Sequence, residues 1–182
     1  MRKSREEAAQ TRRRIVQAAA REFRKNGIVA TGLNDLMKAA GLTHGGFYKH
    51  FASKDQLVAE ATTAALDALL EGMAAHPTIN AAVAAYLSTR HRDDPASGCP
   101  LAAIGSELSR MDKKTREAAT EGFKRVVAVL AGKSETRDAR RRALMAVATM
   151  IGAVTMSRVV TDPRLSAEIL REAEKSLVPA RS

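Results

Sequence analysis

Residues 31–51, which read TGLNDLMKAAGLTHGGFYKHF, constrain the possible folds more than any other part of the chain. Two short segments lie on either side of Gly41 and Leu42. In the first segment, apolar residues recur at the three- and four-residue spacing of an α-helix, at Leu33, Leu36, Met37 and Ala40. Gly41 follows directly, and glycine ends helices because it adopts the left-handed backbone conformation without strain. The pattern predicts a helix-turn-helix whose second helix starts at Thr43.

The second predicted helix has an inward side and an outward side. Phe47 and Phe51 lie four residues apart and are expected to pack inward. Thr43 is expected to cap the helix. Small, imidazole, phenol and basic side chains are expected to face outward, at His44, Gly45, Tyr48 and Lys49. An outward face of this kind is typical of a helix whose side chains contact and recognise another molecule.

The positive charge of the chain is concentrated in the part that holds this motif. The formal net charge is +10, and residues 1–54 hold 12 Lys and Arg against 4 Asp and Glu, a net of +8. Residues 55–182 hold the remaining 18 basic and 16 acidic residues, a net of +2. Such a basic domain is expected where a protein meets a polyanion, because each neutralised phosphate releases counterions. The motif and the charge together predict binding to double-stranded DNA.

Composition predicts an all-α fold. Hydrophobic residues make up 45% of the chain but aromatic residues only 3%, which favours helices packed through small and aliphatic side chains. The apolar periodicity predicts about nine helices. Residues 1–54 are expected to form a three-helix DNA-binding domain with the helix-turn-helix, and residues 55–182 a larger helical regulatory and dimerisation domain. Residues 88–98 are rich in Ser, Asp, Pro and Gly and are expected to form a loop.

Several features predict a cytoplasmic protein without a membrane partner. The single cysteine, Cys99, excludes an internal disulfide and suits a reducing compartment. The basic N-terminal stretch is not followed by the apolar segment of a signal peptide. The longest nearly apolar run, from Ala143 to Met156, is too short to cross a bilayer and predicts a buried helix.

The stretch from Ala18 to Leu57 resembles the TetR family of bacterial transcriptional regulators. The matching features are the AAREF segment, the Asn26-Gly27 helix stop, Ala30-Thr31, the turn Ala40-Gly41-Leu42-Thr43, Tyr48, His50-Phe51, Lys54 and Leu57. The rest of the chain resembles the family in architecture only. The resemblance implies a homodimeric repressor that binds a palindromic operator and releases it when a small molecule binds the C-terminal domain. It also implies that the protein is not an enzyme and needs no cofactor or metal.

The resemblance suggests roles for the residues of the motif. Tyr48, His50 and Lys54 occupy positions where phosphate contacts are common, and the Thr43 hydroxyl is expected to point at the same DNA backbone. The alternative for Tyr48 and His50 is a structural role. Base edges are expected to be read by His44 and Lys49, and Gly45 and Gly46 leave room in the major groove. Thr31 completes the expected DNA-binding set.

Two basic clusters lie outside the motif. Arg12, Arg13 and Arg14 are candidates for contact with phosphate or the minor groove, and the alternative is a solvated helix face. The cluster from Arg140 to Arg142 is expected to be a solvated helix end or the edge of the dimer interface.

The effector site is expected among the middle helices. Eight residues on those helices are expected to surround a pocket: Tyr86, Cys99, Leu101, Ile104, Leu108, Phe123, Val127 and Met150. Cys99 is expected to lie at the mouth of the pocket. The last two helices, at about 135–157 and 163–177, are expected to pair with their copies in a four-helix interface.

Three alternatives remain open at the level of sequence. Release of the operator by oxidation or alkylation of Cys99 is one, because backbone amides at a helix N-terminus lower the pKa of a thiol. An enzyme that uses Cys99 with His76 or His91 is another, although no nucleophile motif or metal-ligand spacing accompanies these residues. The third is a protein that coats DNA without regard to sequence.

Overall fold

The computed structural model describes residues 2–134 and 136–178, with side chains from Ser4 onward. This part of the chain contains α-helices, two short 3₁₀ helices and no strand, which confirms the all-α prediction. The α-helices are α1 (Arg2–Asn26), α2 (Leu33–Ala39), α3 (Lys54–Ala74), α4 (Ile79–Tyr86), α5 (Thr89–Asp93), α6 (Pro100–Leu108), α7 (Lys113–Ala131), α8 (Arg137–Val159) and α9 (Pro163–Leu177). The 3₁₀ helices are His44–Lys49, here called the recognition segment, and Pro95–Ser97.

Hydrogen-bonding side chains begin most of the long helices. Ser53 accepts a hydrogen bond from the Gln56 amide at the start of α3, as the sequence predicts. Thr136 caps α8 by accepting one from Ala139, so that α8 begins at Arg137. The predicted start at residue 135 lies outside the described residues. Asp162 is the N-cap of α9 and Pro163 is its first residue, as the sequence predicts.

The predicted loop at residues 88–98 is instead largely helical, which corrects the sequence analysis. Its polar residues act as helix caps: Ser88 accepts a hydrogen bond from the His91 amide and starts α5. Asp94 accepts one from the Ser97 amide and starts the second 3₁₀ helix. Residues 88–98 are called the strap below.

The buried side chains form three clusters. The first joins α1, α2, the recognition segment, the N-terminal half of α3 and two residues of α6, Ile104 and Leu108. The second lies between α4, α6, α8 and α9. The third joins the C-terminal end of α3 to α4, α7 and α8. Helix α3 therefore runs from the first cluster to the third, and it couples the predicted DNA-binding unit to the rest of the molecule without a flexible linker.

Helix α8 has a buried face and an exposed apolar face. Its 23 residues are long and apolar enough to cross a membrane by length and composition alone, although the apolar run within it is shorter. One face contributes to two of the buried clusters through Ala143, Val147, Met150 and Val154. The other face exposes Met145, Met156 and Val159 by 63%, 47% and 64%.

Candidate nucleic-acid interface and ligand cleft

The predicted recognition helix is a 3₁₀ helix, His44–Lys49, and not an α-helix. It follows the tight turn at Gly41, whose φ of 69° confirms the predicted left-handed conformation. The Gly46 amide donates to the Thr43 carbonyl oxygen at 3.1 Å, in the tighter bonding pattern of a 3₁₀ turn. Two consecutive glycines in a six-residue segment weaken the α-helix, which accounts for the difference.

Thr43 precedes the segment in an extended conformation but does not act as the predicted side-chain cap. Among the described residues, its hydroxyl bonds none of the first amides of the segment. The side chain is exposed and therefore remains available to an external partner.

Two phenylalanines anchor the recognition segment to the first cluster, as predicted. Phe47 and Phe51 are 0% and 2% exposed, and their rings stack with centroids 5.6 Å apart. Phe51 also lies beneath the guanidinium of Arg12, 4.5 Å from its ring centroid. Because the inner side of the segment is held in this way, its outer side is presented at a fixed angle.

Most residues on the outer side of the recognition segment are exposed, as predicted. The exposed residues are Thr43, His44, Gly45, Tyr48 and Lys49, and Gly46 and His50 are half-buried. Tyr48 is 67% exposed, and its ring meets the edge of Phe47 at a centroid distance of 5.1 Å. Neighbouring aromatic packing thus orients a phenol group that extends into solvent.

Two other residues of the expected DNA-binding set stabilise the turn between α1 and α2. Thr31 is only 2% exposed, and its hydroxyl donates to the Gly27 carbonyl oxygen at 2.5 Å. Its side chain is therefore not at the surface, contrary to expectation. Lys54 is half-buried and donates from Nζ to the Ile28 carbonyl oxygen at 2.6 Å. An ammonium has two further donors, so Lys54 can also serve a phosphate.

The arginines of α1 are divided between structural and exposed positions. Arg12 forms a bidentate ion pair with Glu60 of α3, and this hydrogen-bonded pair raises the pKa of Arg12 and lowers that of Glu60. Arg14 donates to the Ala40 carbonyl oxygen at the end of α2, at 3.0 Å. Arg13 is exposed and is the member of the cluster that remains a candidate for phosphate contact.

A cleft of about 390 Å³ opens at the other end of α3, between α3, α4 and the strap. Small and aliphatic side chains form one wall, at Ala68, Leu69, Gly72, Met73, Ala82 and Ala85. The other lining residues, called the polar wall below, are His76, Tyr86 and, in the strap, Ser88, Arg90, His91, Asp94, Ser97 and Gly98. An apolar wall with a few converging polar groups is typical of a small-molecule site.

The structure does not bring the eight predicted pocket residues together. Of that set, only Tyr86 lines the cleft. Ile104 and Leu108 lie in the first cluster with the recognition segment. The others lie in the second and third clusters, at Cys99, Leu101, Met150, Phe123 and Val127. The polar wall was missed because the strap reads as a loop, although its density of Ser, His, Arg and Asp was a usable signal.

His91 holds the strap in place with both ring nitrogens. Nδ1 lies 2.6 Å from the Tyr86 carbonyl oxygen, and Nε2 accepts a hydrogen bond from the Cys99 amide at 2.9 Å. This pairing requires a neutral ring protonated at Nδ1, and burial lowers the pKa of His91 in agreement. The ring also lies so close to Gly98 that a Cβ there would collide with it.

Cys99 is a buried core residue, and this position bears on the alternative in which its thiol triggers release of the operator. The residue is 2% exposed, and burial raises the pKa of its thiol. Hydrogen bonding by Tyr86 and by the first amides of α6 acts in the opposite direction, but burial has the larger effect. A protonated, inaccessible thiol does not favour the alternative in which Cys99 is the trigger.

Contacts from the strap and α6 reach the end of α1. Arg24, only 8% exposed, donates from Nη1 to the Gly98 carbonyl oxygen at 3.0 Å. Glu107 of α6 accepts a hydrogen bond from the Val29 amide at 2.9 Å. These two bonds join the cleft side of the molecule to the turn that Thr31 and Lys54 stabilise.

The chemistry of the described residues offers no metal centre. In residues 2–134 and 136–178, no three His, Cys, Asp or Glu side chains are grouped so as to hold a metal ion.

Comparison with known families gives two adjacent matches. Residues 15–61 match the family of bacterial regulatory proteins described as tetR. Residues 64–175 match the C-terminal domain of LmrA/YxaF-like transcriptional regulators. Together the matches cover both the unit with the recognition segment and the part with the cleft.

Individual proteins are similar to the chain over different lengths. The transcriptional regulator TtgR of Pseudomonas putida is 44% identical over 71 residues, which are 39% of this chain and 32% of TtgR. The match therefore spans about a third of that relative. The regulator LmrA of Bacillus subtilis is 28% identical over 123 residues, 63% of this chain and 65% of LmrA. A TetR transcriptional regulator from Chloroflexus aurantiacus, solved as a crystal structure, is 28% identical and has a TM-score of 0.71. It covers 98% of this chain and 95% of its own.

Proposed function

Because the chain belongs to the TetR family of bacterial regulatory proteins and is a transcriptional regulator, we propose that it acts as a homodimeric repressor. It releases a palindromic operator when a small molecule occupies the cleft. The observation that carries the proposal is the recognition segment, anchored by two buried phenylalanines and exposed in the most basic part of the chain. As a regulator that acts on DNA, it works in the cytoplasm and has no enzymatic activity.

In and around the recognition segment, some residues contact phosphates and others contact base edges. Tyr48, His50 and Lys54, with the Thr43 hydroxyl, contact phosphates and set the position of the protein without selecting sequence. His44 and Lys49 reach base edges, and the backbone at the exposed Gly45 and the half-buried Gly46 approaches the groove closely. The affinity for DNA then depends mainly on phosphate contacts, and the specificity for the operator sequence depends on few side chains.

Dimerisation uses the exposed apolar face of α8 together with α9. Met145, Met156 and Val159 of α8 are exposed, and Leu165 of α9 is 43% exposed. Gly152 lies between them on α8 with no atom within 4 Å of a Cβ placed there, so a second helix can approach closely. A symmetric pair of these helices places two recognition segments on two half-sites at a fixed spacing.

A ligand in the cleft acts on the DNA-binding unit through α3 and the strap. Helix α3 lines the cleft from Ala68 to Met73 and begins at Lys54, beside the recognition segment. The strap reaches α1 through the bond between Arg24 and Gly98. A ligand that separates α3 from the strap favours a state in which the two recognition segments no longer fit both half-sites.

The test is selection of bound fragments from random DNA by the purified full-length protein. A palindromic sequence is expected to be enriched, and failure to enrich one would contradict the proposal. Within the selected operator, His44→Ala is expected to change the preferred bases, whereas Tyr48→Phe weakens binding to all sequences alike. Thr120→Ala, at an exposed position of α7 outside the recognition segment and the cleft, serves as the control and leaves DNA binding unchanged.

A further inference from the structure

Two arginines lie beside the strap and donate hydrogen bonds to backbone carbonyl oxygens. Arg24 bonds the Gly98 carbonyl oxygen, and its Nε is buried with no hydrogen-bond partner among the described residues. Arg158 of α8 donates to the carbonyl oxygens of His91 and Arg92, at 2.6 and 2.9 Å. Within the part of the chain that the structure describes, neither guanidinium forms an ion pair.

The positive potential of these two groups extends into the cleft. Each donates to the carbonyl oxygen of a cleft-lining residue, Gly98 or His91, so each guanidinium lies directly beside the backbone of the cleft wall. Burial lowers the pKa of both arginines, which shows that solvent compensates their charge poorly. Electrostatic interactions are stronger in such an environment than in water.

The charged groups of the cleft wall leave this potential uncancelled. Arg90 adds one positive charge at the opening, and Asp94 adds one negative charge. The strap also contains the ion pair of Arg92 and Asp93, whose charges cancel. With Arg24 and Arg158 included, four guanidinium groups therefore lie near the carboxylates of Asp93 and Asp94, a local sum of +2. Asp94 is in addition held by the Ser97 amide, as the cap of the 3₁₀ helix in the strap.

We infer that the cleft selects an apolar small molecule that carries a negatively charged group. The apolar part lies against the wall from Leu69 to Met73 and Ala82, and the carboxylate, phenolate or sulfonate faces Arg90 and the strap. A volume of about 390 Å³ accommodates a body of two or three rings. This inference rests on the proposed function, because it names the ligand class of the same cleft.

The experiment compares two fluorescent probes that differ by one charged group. They are the anion 1-anilinonaphthalene-8-sulfonate and its neutral parent N-phenyl-1-naphthylamine, titrated into the full-length protein at low and high salt. Binding in the cleft is isolated with Gly72→Leu, because Gly72 lines the cleft and nothing lies within 4 Å of a Cβ built there, so the new side chain starts in open space. Ala128→Leu, at an exposed position of α7, controls for added apolar surface.

The anion is expected to bind the cleft about tenfold more tightly than the neutral probe at low salt, with a smaller difference at high salt. Arg90→Gln is expected to reduce this difference several-fold while leaving the neutral probe unaffected. Arg116→Gln, at an exposed arginine of α7, is expected to change neither affinity.

Two results would overturn the inference, and they differ in what they leave standing. If the neutral probe binds the cleft as tightly as the anion, or if Arg90→Gln weakens both probes equally, the ligand class is wrong but the cleft remains a ligand site. If Gly72→Leu alters the binding of neither probe, the cleft is not the ligand site and this part of the proposed function fails with it.

Discussion

Replacement of Gly45 by alanine separates what the fold requires from what DNA binding requires. Gly45 is exposed, its φ is not positive, and a Cβ built on it has no heavy atom within 4 Å. An added methyl group therefore meets solvent in the free protein and causes no strain. Since alanine restricts the unfolded chain, Gly45→Ala is expected to raise the free energy of unfolding by about 0.4–1 kcal/mol. For a chain of this size, that corresponds to an increase of roughly 1–4 °C in Tm.

The same substitution is expected to weaken operator binding. If the backbone at Gly45 lies against the groove, a methyl group displaces the segment by a distance on the order of one bond length, ~1.5 Å. Such a displacement breaks hydrogen bonds that require donor and acceptor within about 3.2 Å, including those made by Tyr48 and Lys49. Loss of one charge-assisted bond is worth about 1.5–3 kcal/mol, so operator affinity is expected to fall by about tenfold or more.

The assay combines thermal unfolding with fluorescence anisotropy on a labelled operator. Gly105→Ala is the matched control, because a Cβ there also meets nothing within 4 Å, its φ is not positive and it lies on α6, outside the recognition segment and the cleft. The control is expected to show the change in Tm without the change in affinity. Undiminished operator affinity in Gly45→Ala would refute the close approach of the backbone, and a lower Tm would refute the account of the free protein.

Three further predictions concern the dimer, the strap and the thiol. Met156→Glu on α8 is expected to yield monomers in sedimentation velocity, whereas Val129→Glu on α7, also partly exposed, leaves dimers; dimers in both would contradict the interface. Because the folded-state pKa of His91 is lowered, the unfolded chain binds the proton more readily, and stability is expected to decrease as pH falls through about 6.5. Urea unfolding at several pH values should show less of this decrease in His91→Gln, and an equal decrease would show that other groups are responsible. Cys99 is expected to react with a thiol-specific reagent only as fast as the protein opens, and rapid reaction of the native protein would restore the alternative trigger.

The local signals in the sequence predicted the anchoring of the recognition segment correctly. Gly41 ends α2 in the left-handed conformation, and Phe47 and Phe51 are both buried. These features depend on residues within ten positions of one another, so spacing alone carries the information. The type of the helix was wrong, because the energetic difference between α and 3₁₀ geometry in a six-residue segment is small and depends on how its ends are held.

The spacing of polar residues along the sequence did not predict what their side chains contact in the fold. For the arginines of α1 the sequence suggested contact with DNA or with solvent, yet Arg12 pairs with Glu60 and Arg24 bonds Gly98, partners 48 and 74 residues away. Likewise, Thr31 was assigned to the DNA surface by resemblance but is buried against the Gly27 carbonyl. Whether a polar group meets solvent, DNA or another part of the chain depends on which elements fold back onto it.

The sequence by itself determined the all-α class, the position of the helix-turn-helix and the basic character of the unit that holds it. Helical periodicity, glycine residues that end helices and net charge are properties of neighbouring residues. They do not depend on how the helices pack against one another. Only the tertiary structure decided where the cleft lies and which residues line it, because the cleft is the space left between α3, α4 and the strap. It also decided that Cys99 and Arg24 are buried and that Arg158 is half-buried, since burial is set by every element packed around a residue.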